Sequence, residues 1–548
     1  MEEKTAKLKA AVKKYGLIAL ALVMTAGVCL LFCMRKQGFF IDEVYTYGLS
    51  NSMKGPYLTD IRNGNLIDSV ISREEIADYL SAGSEDAFHF GFVTRNLEQD
   101  VHPPLYYWIF HAVSSFFPGS DSKWIGLGIN AVLFLLTTGV LCALCRELYG
   151  STEVAAAAAG LYGLSVLGLS TVMMIRMYML LTFFTVLLAW TVARIVHRPQ
   201  KKGSYALLTA VIFCGMMTQY YFVFYAFFIC AAYDIYALAQ KRYRSFVWFS
   251  LCALAGVGLM ICAFPACLKQ MFEGNGQAVG GMSVADALLD FATYGERLDH
   301  FTEKARLMLR GMTWTAAAAG ICLLLCLPKA VRALRERKIP LEALVVLLPL
   351  PATYILTVLI APLQAQELRY IYNLTPIAAA GTGFLLCICE KSTGSFRIEE
   401  WMKKGAVLLI LAAALWNARA MPPATLFTAQ REYEAATEAY ADVPCVYLAD
   451  GPRIYGPLTQ DLPELKNFRN FFVTNNTASP ALKEYLGNAD RAVLYISTND
   501  YWTDGYGFDA DAATAAFGKE TGLTACEPLY IYDFEGQGGL SAVYLMKG

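Results

Sequence analysis

Long apolar runs recur along the chain, and short basic clusters separate them. About 20 apolar residues are needed for an α-helix to cross a bilayer, where each backbone polar group must be paired within the segment. The sequence therefore predicts a polytopic α-helical membrane protein with about eleven transmembrane helices. The predicted spans are 16–34, 124–145, 154–174, 178–195, 204–219, 220–239, 246–268, 307–327, 341–362, 371–389 and 405–420.

The composition excludes several other classes of protein. Charged residues make up 17% of the 548 residues and apolar types 56%, whereas soluble domains carry about 25% charge. These values exclude a nucleic-acid binder that is held by a basic surface, so no nucleic-acid partner is predicted. The sequence has no Walker A loop and no GxGxxG motif after a strand, so no nucleotide site is predicted. No cluster of cysteine and histidine has the spacing of metal ligands, so we expect no metal and no other cofactor.

The basic residues indicate an orientation. About half of the 45 lysines and arginines lie in the N-terminal tail and in alternate connections between spans. The positive-inside rule places these clusters, and the N-terminus, in the cytoplasm. The aromatic segment 103–117 is short for a crossing, and counting it as a span would turn the later clusters outward; we interpret it as an interfacial helix. We expect a multi-pass protein of the cell membrane whose C-terminus is extracytoplasmic.

The spans divide the chain into two predicted domains. Residues 1–420 form the transmembrane domain, which includes a first extracytoplasmic loop at 35–123. In that loop, Ser72 and Glu75 have the spacing of a capping box, which predicts a helix over 72–80. Residues 421–548 alternate short strand-like and helical stretches, which indicates a small extracytoplasmic α/β domain. A disulfide between its two cysteines, Cys445 and Cys526, is compatible with that location and is left open.

Polar residues from distant parts of the chain fall at the predicted outer ends of spans. Adjacent carboxylates point in different directions in either a strand or a helix, so one can act as a general base while its neighbour orients a substrate. Guanidinium groups bind phosphate through two parallel hydrogen bonds. Each residue also has an ordinary structural explanation: an acidic anchor, a proline-capped helix, or a snorkelling arginine. The set comprises Asp42, Glu43, Asp100, His102, Arg176, Tyr178, Gln219, Tyr220, Tyr221, Glu367, Arg369 and Tyr370.

The order of these motifs resembles a known family. Asp42-Glu43, then His102-Pro103-Pro104-Leu105, then Arg176-Met177-Tyr178, and more loosely Arg369-Tyr370, are similar to motifs of the integral-membrane glycosyltransferases of the GT-C fold. The branch that they resemble contains the protein O-mannosyltransferases and the aminoarabinose (lipid A) transferases. The resemblance covers residues 16–420 and does not extend to the tail.

The resemblance implies an activity and roles for the residues. It implies an inverting hexosyl- or pentosyltransferase that moves a sugar from a polyprenyl-phosphate carrier to an acceptor protein, glycolipid or cell-wall glycan at the outer face. Asp42 would be the general base, and Glu43 would help to place a substrate. The donor phosphate would be bound by His102, Arg176, Tyr178, Arg369 and Tyr370, without a divalent metal. The alternatives are a multi-spanning transporter or lipid flippase, for which mid-span charges and internal repeats would be expected, and a membrane-anchored sensor.

Overall fold

The computed structural model describes residues 2–58, 66–272, 291–360, 368–393, 400–449, 455–498, 508–531 and 541–548. In these ranges the chain is mostly helical. The helices of the first half are α1 (Glu2–Arg35), α2 (Ile41–Asn51), α3 (Arg73–Leu80), α4 (Phe90–Glu98), α5 (Leu105–Ser114), α6 (Lys123–Tyr149), α7 (Thr152–Gly163), α8 (Val166–Met173), α9 (Tyr178–His197), α10 (Lys202–Met216), α11 (Phe222–Ala239), α12 (Tyr243–Ala263) and α13 (Ala266–Phe272).

The second half continues with helices and then adds most of a β-sheet. The helices are α14 (Tyr294–Leu309), α15 (Thr313–Leu325), α16 (Leu327–Arg335), α17 (Leu344–Leu347), α18 (Pro349–Ile360), α19 (Thr375–Thr393), α20 (Glu400–Ala420), α21 (Gln430–Glu438), α22 (Tyr455–Leu465), α23 (Pro480–Leu486) and α24 (Ala510–Thr521). Short 3₁₀ segments lie at Phe291–Thr293, Leu341–Ala343 and Leu368–Leu374. The strands are β1 (Ser69–Ser72), β2 (Cys445–Leu448), β3 (Asn470–Thr474), β4 (Arg491–Ser497), β5 (Ala525–Ile531) and β6 (Ser541–Lys547).

The chain is a multi-pass membrane protein by the length and composition of its helices. Within the described ranges, seven helices are long and apolar enough to cross a bilayer, and two bent helix pairs raise the number to nine. The seven are Val12–Arg35, Lys123–Tyr149, Tyr178–His197, Phe222–Ala239, Tyr243–Ala263, Leu341–Ile360 and Leu368–Ser392. The predicted helical membrane class is therefore confirmed, and the predicted count of eleven is not.

The difference in count has local causes. The predicted span 204–219 corresponds to α10, whose 15 residues extend only about 22 Å at 1.5 Å per residue. The predicted span 154–174 is two helices, α7 and α8, bent by 56°. Ser165 lies at the break, and its hydroxyl accepts a hydrogen bond from the amide of Gly168, which caps the second helix. The predicted span 405–420 lies within α20, which is not among the helices that are counted as long and apolar enough to cross a bilayer.

The chain forms two compact units, which we describe separately. The helical unit comprises Met1–Cys33, Asp100–Tyr106 and Gly126–Ala424, and the sheet unit comprises Met34–Gln99, Tyr107–Ile125 and Thr425–Gly548. These units divide the chain at other places than the predicted domains. Residues 34–99, which the sequence analysis grouped with the transmembrane domain, belong to the same compact unit as the tail.

Basic residues at predicted cytoplasmic ends lie close to one another in the helical unit. The Arg146 guanidinium carbon lies 5.1 Å from the centre of the Tyr15 ring. Arg198 pairs with Glu147 at 3.2 Å, and Arg242 donates to the carbonyl of Val196 at 2.9 Å. These contacts bring together the N-terminal tail and three alternate connections, as expected if they share one membrane face.

The sheet unit contains a six-stranded mixed sheet. The strand order is β1-β3-β2-β4-β6-β5, in which β3, β2 and β4 are parallel and the outer pairs are antiparallel. Strand β1 comes from the first loop and pairs Ser69 with Val473. Side chains of the central strands, Val446 and Leu494 among them, pack against Phe517 of α24 in a buried core.

Several local predictions for this unit are confirmed. The capping box forms at the start of α3, where the Glu75 carboxylate accepts from the amide of Ser72 at 2.8 Å. Within the described residues, the strand-like runs predicted at 445–449, 471–474, 492–496, 529–532 and 542–546 overlap strands β2 to β6. Helices α21, α23 and α24 overlap the helical stretches predicted at 432–440, 480–486 and 510–521. Cys445 and Cys526 are both free thiols, because their strands β2 and β5 are separated by β4 and β6.

Candidate functional site

The predicted carboxylate pair lies in the first turn of α2, in the sheet unit. Phe40 is the N-cap residue, with extended backbone angles of φ −80° and ψ 151°. The Glu43 carboxylate accepts a hydrogen bond from the amide of Phe40 at 2.6 Å and so caps the helix. Acidic residues are favoured in this position because unpaired amides and the helix dipole make the N-terminus positive.

Glu43 and Asp42 differ in their environments. Glu43 forms an ion pair of 2.9 Å with Lys36, and both side chains are 0% exposed. The Lys36 ammonium also donates to the carbonyl of Thr425 at 2.6 Å. Asp42 is half-buried. Glu43 therefore helps to hold the start of the helix, whereas Asp42 is the more exposed carboxylate of the pair. Neither predicted role is tested by this geometry.

His102 lies in the helical unit, directly before the start of α5, and contacts Asp100. The distance between His102 Nδ1 and Asp100 Oδ2 is 2.7 Å. Burial lowers the pKa of His102 most, and the nearby positive charge of Arg176 lowers it further, although Asp100 opposes both effects. A neutral imidazole whose Nδ1–H donates to Asp100 leaves Nε2 as an acceptor. The expectation that His102 donates to an anion therefore requires a proton that its surroundings disfavour.

The two predicted arginines are buried at breaks between helices of the same unit. Arg176 lies between α8 and α9 and is 4% exposed, and Arg369 lies in the segment Leu368–Leu374 and is 8% exposed. Their neighbours in sequence contact each other: the ring centres of Tyr178 and Tyr370 are 6.3 Å apart. The Arg369 guanidinium carbon lies 5.4 Å from the Tyr370 ring centre. The two arginine-tyrosine motifs, 193 residues apart in the chain, thus meet through their tyrosines.

Two further contacts link other predicted outer ends to this cluster. The ring of Tyr221, which caps α11, lies 5.0 Å from that of Tyr370. Gln270 donates to the carbonyl of Asp100 at 2.9 Å and accepts from the Tyr220 hydroxyl at 2.5 Å. We call Asp100, His102, Arg176, Tyr178, Tyr220, Tyr221, Gln270, Arg369 and Tyr370 the corner cluster.

The structure thus brings five of the seven predicted site residues together in the corner cluster. Asp42 and Glu43 belong to the sheet unit. Glu367, which the sequence analysis also collected, lies outside the described residues. The prediction of a single shared site for all seven stays a prediction.

Sequence reasoning missed three buried cations. Lys36 lies seven residues before Glu43, in the segment that leads into α2, and the two side chains form an ion pair. Arg297 and Lys304 are buried on α14, mostly outside the predicted spans, before the span that is predicted to begin at 307. Helix α14 packs against Leu368–Leu374, the segment that carries Arg369. Arg297 and Lys304 are seven residues apart, which places both on one face of the helix. That spacing is the sequence signal that could have identified them.

Residues 101–268 match the family model described as dolichyl-phosphate-mannose-protein mannosyltransferase. The match includes His102, Arg176 and Tyr178, and it confirms for this part of the chain the resemblance that the motifs indicate. A comparison with curated proteins gives no match.

Comparison with solved structures finds similar chains at low sequence identity. ArnT from Cupriavidus metallidurans bound to undecaprenyl phosphate is 12% identical, with a TM-score of 0.48 over 97% of this chain and 98% of that chain. The oligosaccharyltransferase AglB from Archaeoglobus fulgidus, in complex with an inhibitory peptide and a dolichol-phosphate, is 13% identical, with a TM-score of 0.43 over 96% of this chain and 74% of that chain.

In the part of the chain that the structure describes, no group of three or more histidine, cysteine, aspartate or glutamate side chains could hold a metal ion. The corner cluster offers guanidinium, phenol, amide and imidazole groups and a single carboxylate, Asp100, which is paired with His102. These groups suit an anionic or hydroxyl-bearing ligand better than a divalent cation.

Proposed function

We propose that the protein is an inverting glycosyltransferase that moves a sugar from a polyprenyl-phosphate carrier to an acceptor hydroxyl at the outer membrane face. The observation that carries this proposal is the pair of buried arginines, Arg176 and Arg369, whose neighbouring tyrosines contact each other. Buried guanidinium groups at the ends of apolar helices suit a phosphate on a lipid chain, because they bind it bidentately where water is scarce. The family match over residues 101–268 supports the same donor class.

In the proposed reaction the acceptor oxygen attacks the anomeric carbon from the face opposite the phosphate. Asp42 takes the proton of the acceptor hydroxyl while the oxygen of that hydroxyl forms its bond to the anomeric carbon. The bond between the anomeric carbon and the phosphate oxygen breaks, and its electron pair leaves with the polyprenyl phosphate. The transition state has oxocarbenium character, as in other glycosyl transfers.

The other residues have supporting roles in this proposal. Arg176 and Arg369 stabilise the negative charge that develops on the leaving phosphate, and Tyr178 and Tyr370 hold them in place. Neutral His102 accepts a hydrogen bond through Nε2 from a sugar or acceptor hydroxyl. Glu43 fixes the start of α2 through Lys36 and the amide of Phe40. No divalent metal takes part.

The test is a transfer assay on the full-length protein in lipid nanodiscs. A polyprenyl-phosphate hexose or pentose labelled in the sugar is supplied with candidate acceptors: a peptide, a glycolipid and a cell-wall glycan fragment. We expect labelled acceptor and an equal amount of free polyprenyl phosphate, with the anomeric configuration inverted by NMR. Retention of configuration would contradict the single displacement.

The same assay separates the transferase from a transporter or flippase. A flippase moves the intact labelled lipid between the leaflets of a vesicle and releases no polyprenyl phosphate. Movement of the lipid without cleavage would therefore reject the proposed activity. Accessibility of single cysteines from each side of the vesicle would test the cytoplasmic N-terminus and the extracytoplasmic tail.

A further inference from the structure

The segment that precedes α2 is held by the C-terminal tail, within the sheet unit. The amide of Gln37 donates to the carbonyl of Leu426 at 2.8 Å. The Lys36 ammonium donates to the carbonyl of Thr425 at 2.6 Å. The side-chain amide of Gln460, on α22, donates to the carbonyl of Phe39 at 2.6 Å. Two parts of the tail that are more than 30 residues apart therefore hold the same short segment.

Gly38 shows how closely the tail approaches this segment. A Cβ atom added at Gly38 would lie 2.9 Å from Cβ of Phe427 and 3.0 Å from Cγ of Gln430. Real Cβ atoms essentially never come so close to a neighbouring side-chain carbon, so a larger residue would push the segment away from the tail. The backbone at Gly38 therefore lies directly against the side chains of Phe427 and Gln430.

A buried polar network fixes the tail residues that make these contacts. Gln430 donates its side-chain amide to Glu464 at 2.5 Å, and Glu464 also accepts from the hydroxyl of Tyr530. Glu464 lies on α22, one helical turn after Gln460. Because α22 also packs against α2, the helix that bears Gln460 has little freedom to move relative to the helix that bears Asp42.

We propose that Gln460 is a positioning residue for sugar transfer: by holding the carbonyl of Phe39, it sets the start of α2 and hence the place of the Asp42 carboxylate. Phe39 lies immediately before the N-cap residue Phe40 and three residues before Asp42. The side chain of Glu43 fixes the other side of the same turn. The proposal rests on the proposed function for its effect on rate, whereas its effect on α2 can be measured without activity.

The test compares Gln460→Met with a matched control in the full-length protein. Methionine keeps the length of the side chain and removes the amide donor. The control is Tyr485→Phe, which removes a hydroxyl that donates to Asn470 Oδ1 at 2.9 Å elsewhere in the tail. Gly38→Ala is a second variant. It disturbs the contact between the tail and the segment before α2 by a change in that segment instead of a change in the tail.

Two measurements are made on each variant. Hydrogen–deuterium exchange should show the amides of residues 38–45 exchanging at least about fivefold faster in Gln460→Met and Gly38→Ala, and unchanged in Tyr485→Phe. In the transfer assay, kcat should fall about tenfold or more in the two junction variants, since a displaced catalytic group is costly. The KM for the lipid donor should stay within about twofold of the wild type, because its proposed ligands lie in the helical unit.

The outcomes are distinguishable. Wild-type exchange over residues 38–45 in Gln460→Met overturns the positioning role whatever the activity, and so does an equal loss of kcat in Tyr485→Phe. If the wild type transfers no sugar but Gln460→Met still speeds exchange over 38–45, the proposed function fails and the anchoring of α2 by Gln460 stands.

Discussion

The corner cluster and the start of α2 are built in different ways. The corner cluster connects breaks between helices that are far apart in sequence. The connecting contacts are between tyrosine rings and through a hydrogen bond of Gln270. The start of α2 is one short segment held by backbone carbonyls of the tail, by Gln460 and by a fully buried ion pair. One region presents buried cations; the other presents a carboxylate.

This difference separates the expected effects of mutation. Residues of the corner cluster depend on the packing of apolar helices, and changes there should alter binding of the lipid phosphate. Asp42 depends on the fold of the sheet unit, and changes there should alter the chemical step. Substitutions in each region, with kcat and KM measured separately, test that separation.

Replacing the proposed base should have the largest effect. Asp42→Asn keeps the size of the side chain and removes its ability to take a proton, so kcat should fall about 10²- to 10⁴-fold with little change in donor KM. The measurement is steady-state transfer in nanodiscs. Asp78→Asn, at an exposed acid of the same unit, is the control and should retain full activity. A retained kcat in Asp42→Asn would reject Asp42 as the base.

Changes at the buried arginines should act on the donor. Arg176→Lys or Arg369→Lys retains the positive charge but loses the bidentate fork, so kcat/KM for the lipid donor should fall about 10²-fold. Arg198→Lys, at an arginine that is 57% exposed, should leave kcat/KM unchanged. If only kcat fell and the affinity for polyprenyl phosphate stayed the same in a direct binding assay, the separation between the two regions would be wrong.

Breaking the buried ion pair should destabilise the sheet unit. Glu43→Gln leaves the Lys36 ammonium buried without its carboxylate, which should cost about 3–5 kcal/mol of unfolding free energy. Combining it with Lys36→Met should cost less than the sum of the single changes. The Lys54–Asp78 pair, with side chains 68% and 62% exposed, should contribute less than about 1 kcal/mol. Chemical unfolding of each variant measures these values, and additive single costs would argue against a direct interaction.

The helical class, the strands of the tail and the helix ends that carry Arg176 and Arg369 could be predicted from local patterns. Apolar runs and alternating short strands are properties of neighbouring residues, and they suffice for these elements. Helix α22 was missed because Pro457 and Pro463 suggest a loop, although Leu458, Leu462 and Leu465 follow a helical period and are buried.

The rest of the candidate site depends on contacts that no local pattern encodes. Ser69 of β1 pairs with Val473 of β3, 404 residues later. Lys36 and Glu43 form their ion pair across Phe40, the N-cap residue of α2. The contact of Gln460 with Phe39 requires α22, which the sequence analysis did not find. Sequence reasoning therefore located candidate groups but not the residues that hold them.

Two carboxyls on α22, the helix that bears Gln460, should make the stability of the sheet unit depend on pH. Burial raises the pKa of Asp461 to about 7 and of Glu464 to about 8. The folded protein then keeps protons that the unfolded chain releases from about pH 4 upward, so stability should fall between pH 5 and pH 8 and level off above that range. Each pKa unit corresponds to about 1.4 kcal/mol.

Scanning calorimetry at pH 5 and pH 8.5 measures this dependence. Asp461→Asn cannot ionise, so the difference in stability between the two pH values should be smaller than in the wild type. Asp490→Asn changes an exposed acid of the same unit and should follow the wild type. A wild-type protein that is more stable at pH 8.5 would reverse the expected sign and show that these carboxyls are ionised when folded.

The smallest effect should come from the tail's cysteines. Cys445 is buried in β2, and Cys526 is exposed on the edge strand β5, with two strands between them. A disulfide needs Cα atoms within about 7 Å, whereas three strand spacings are about 14 Å. Reductant should therefore leave the melting temperature unchanged. Cys526→Ser should change stability by less than about 0.5 kcal/mol, while Cys445→Ser should cost more because it places a hydroxyl at a fully buried position. Equal losses in the two variants, both abolished by reductant, would require β2 and β5 to be adjacent, and the sheet that supports α22 and the start of α2 would then have a different strand order.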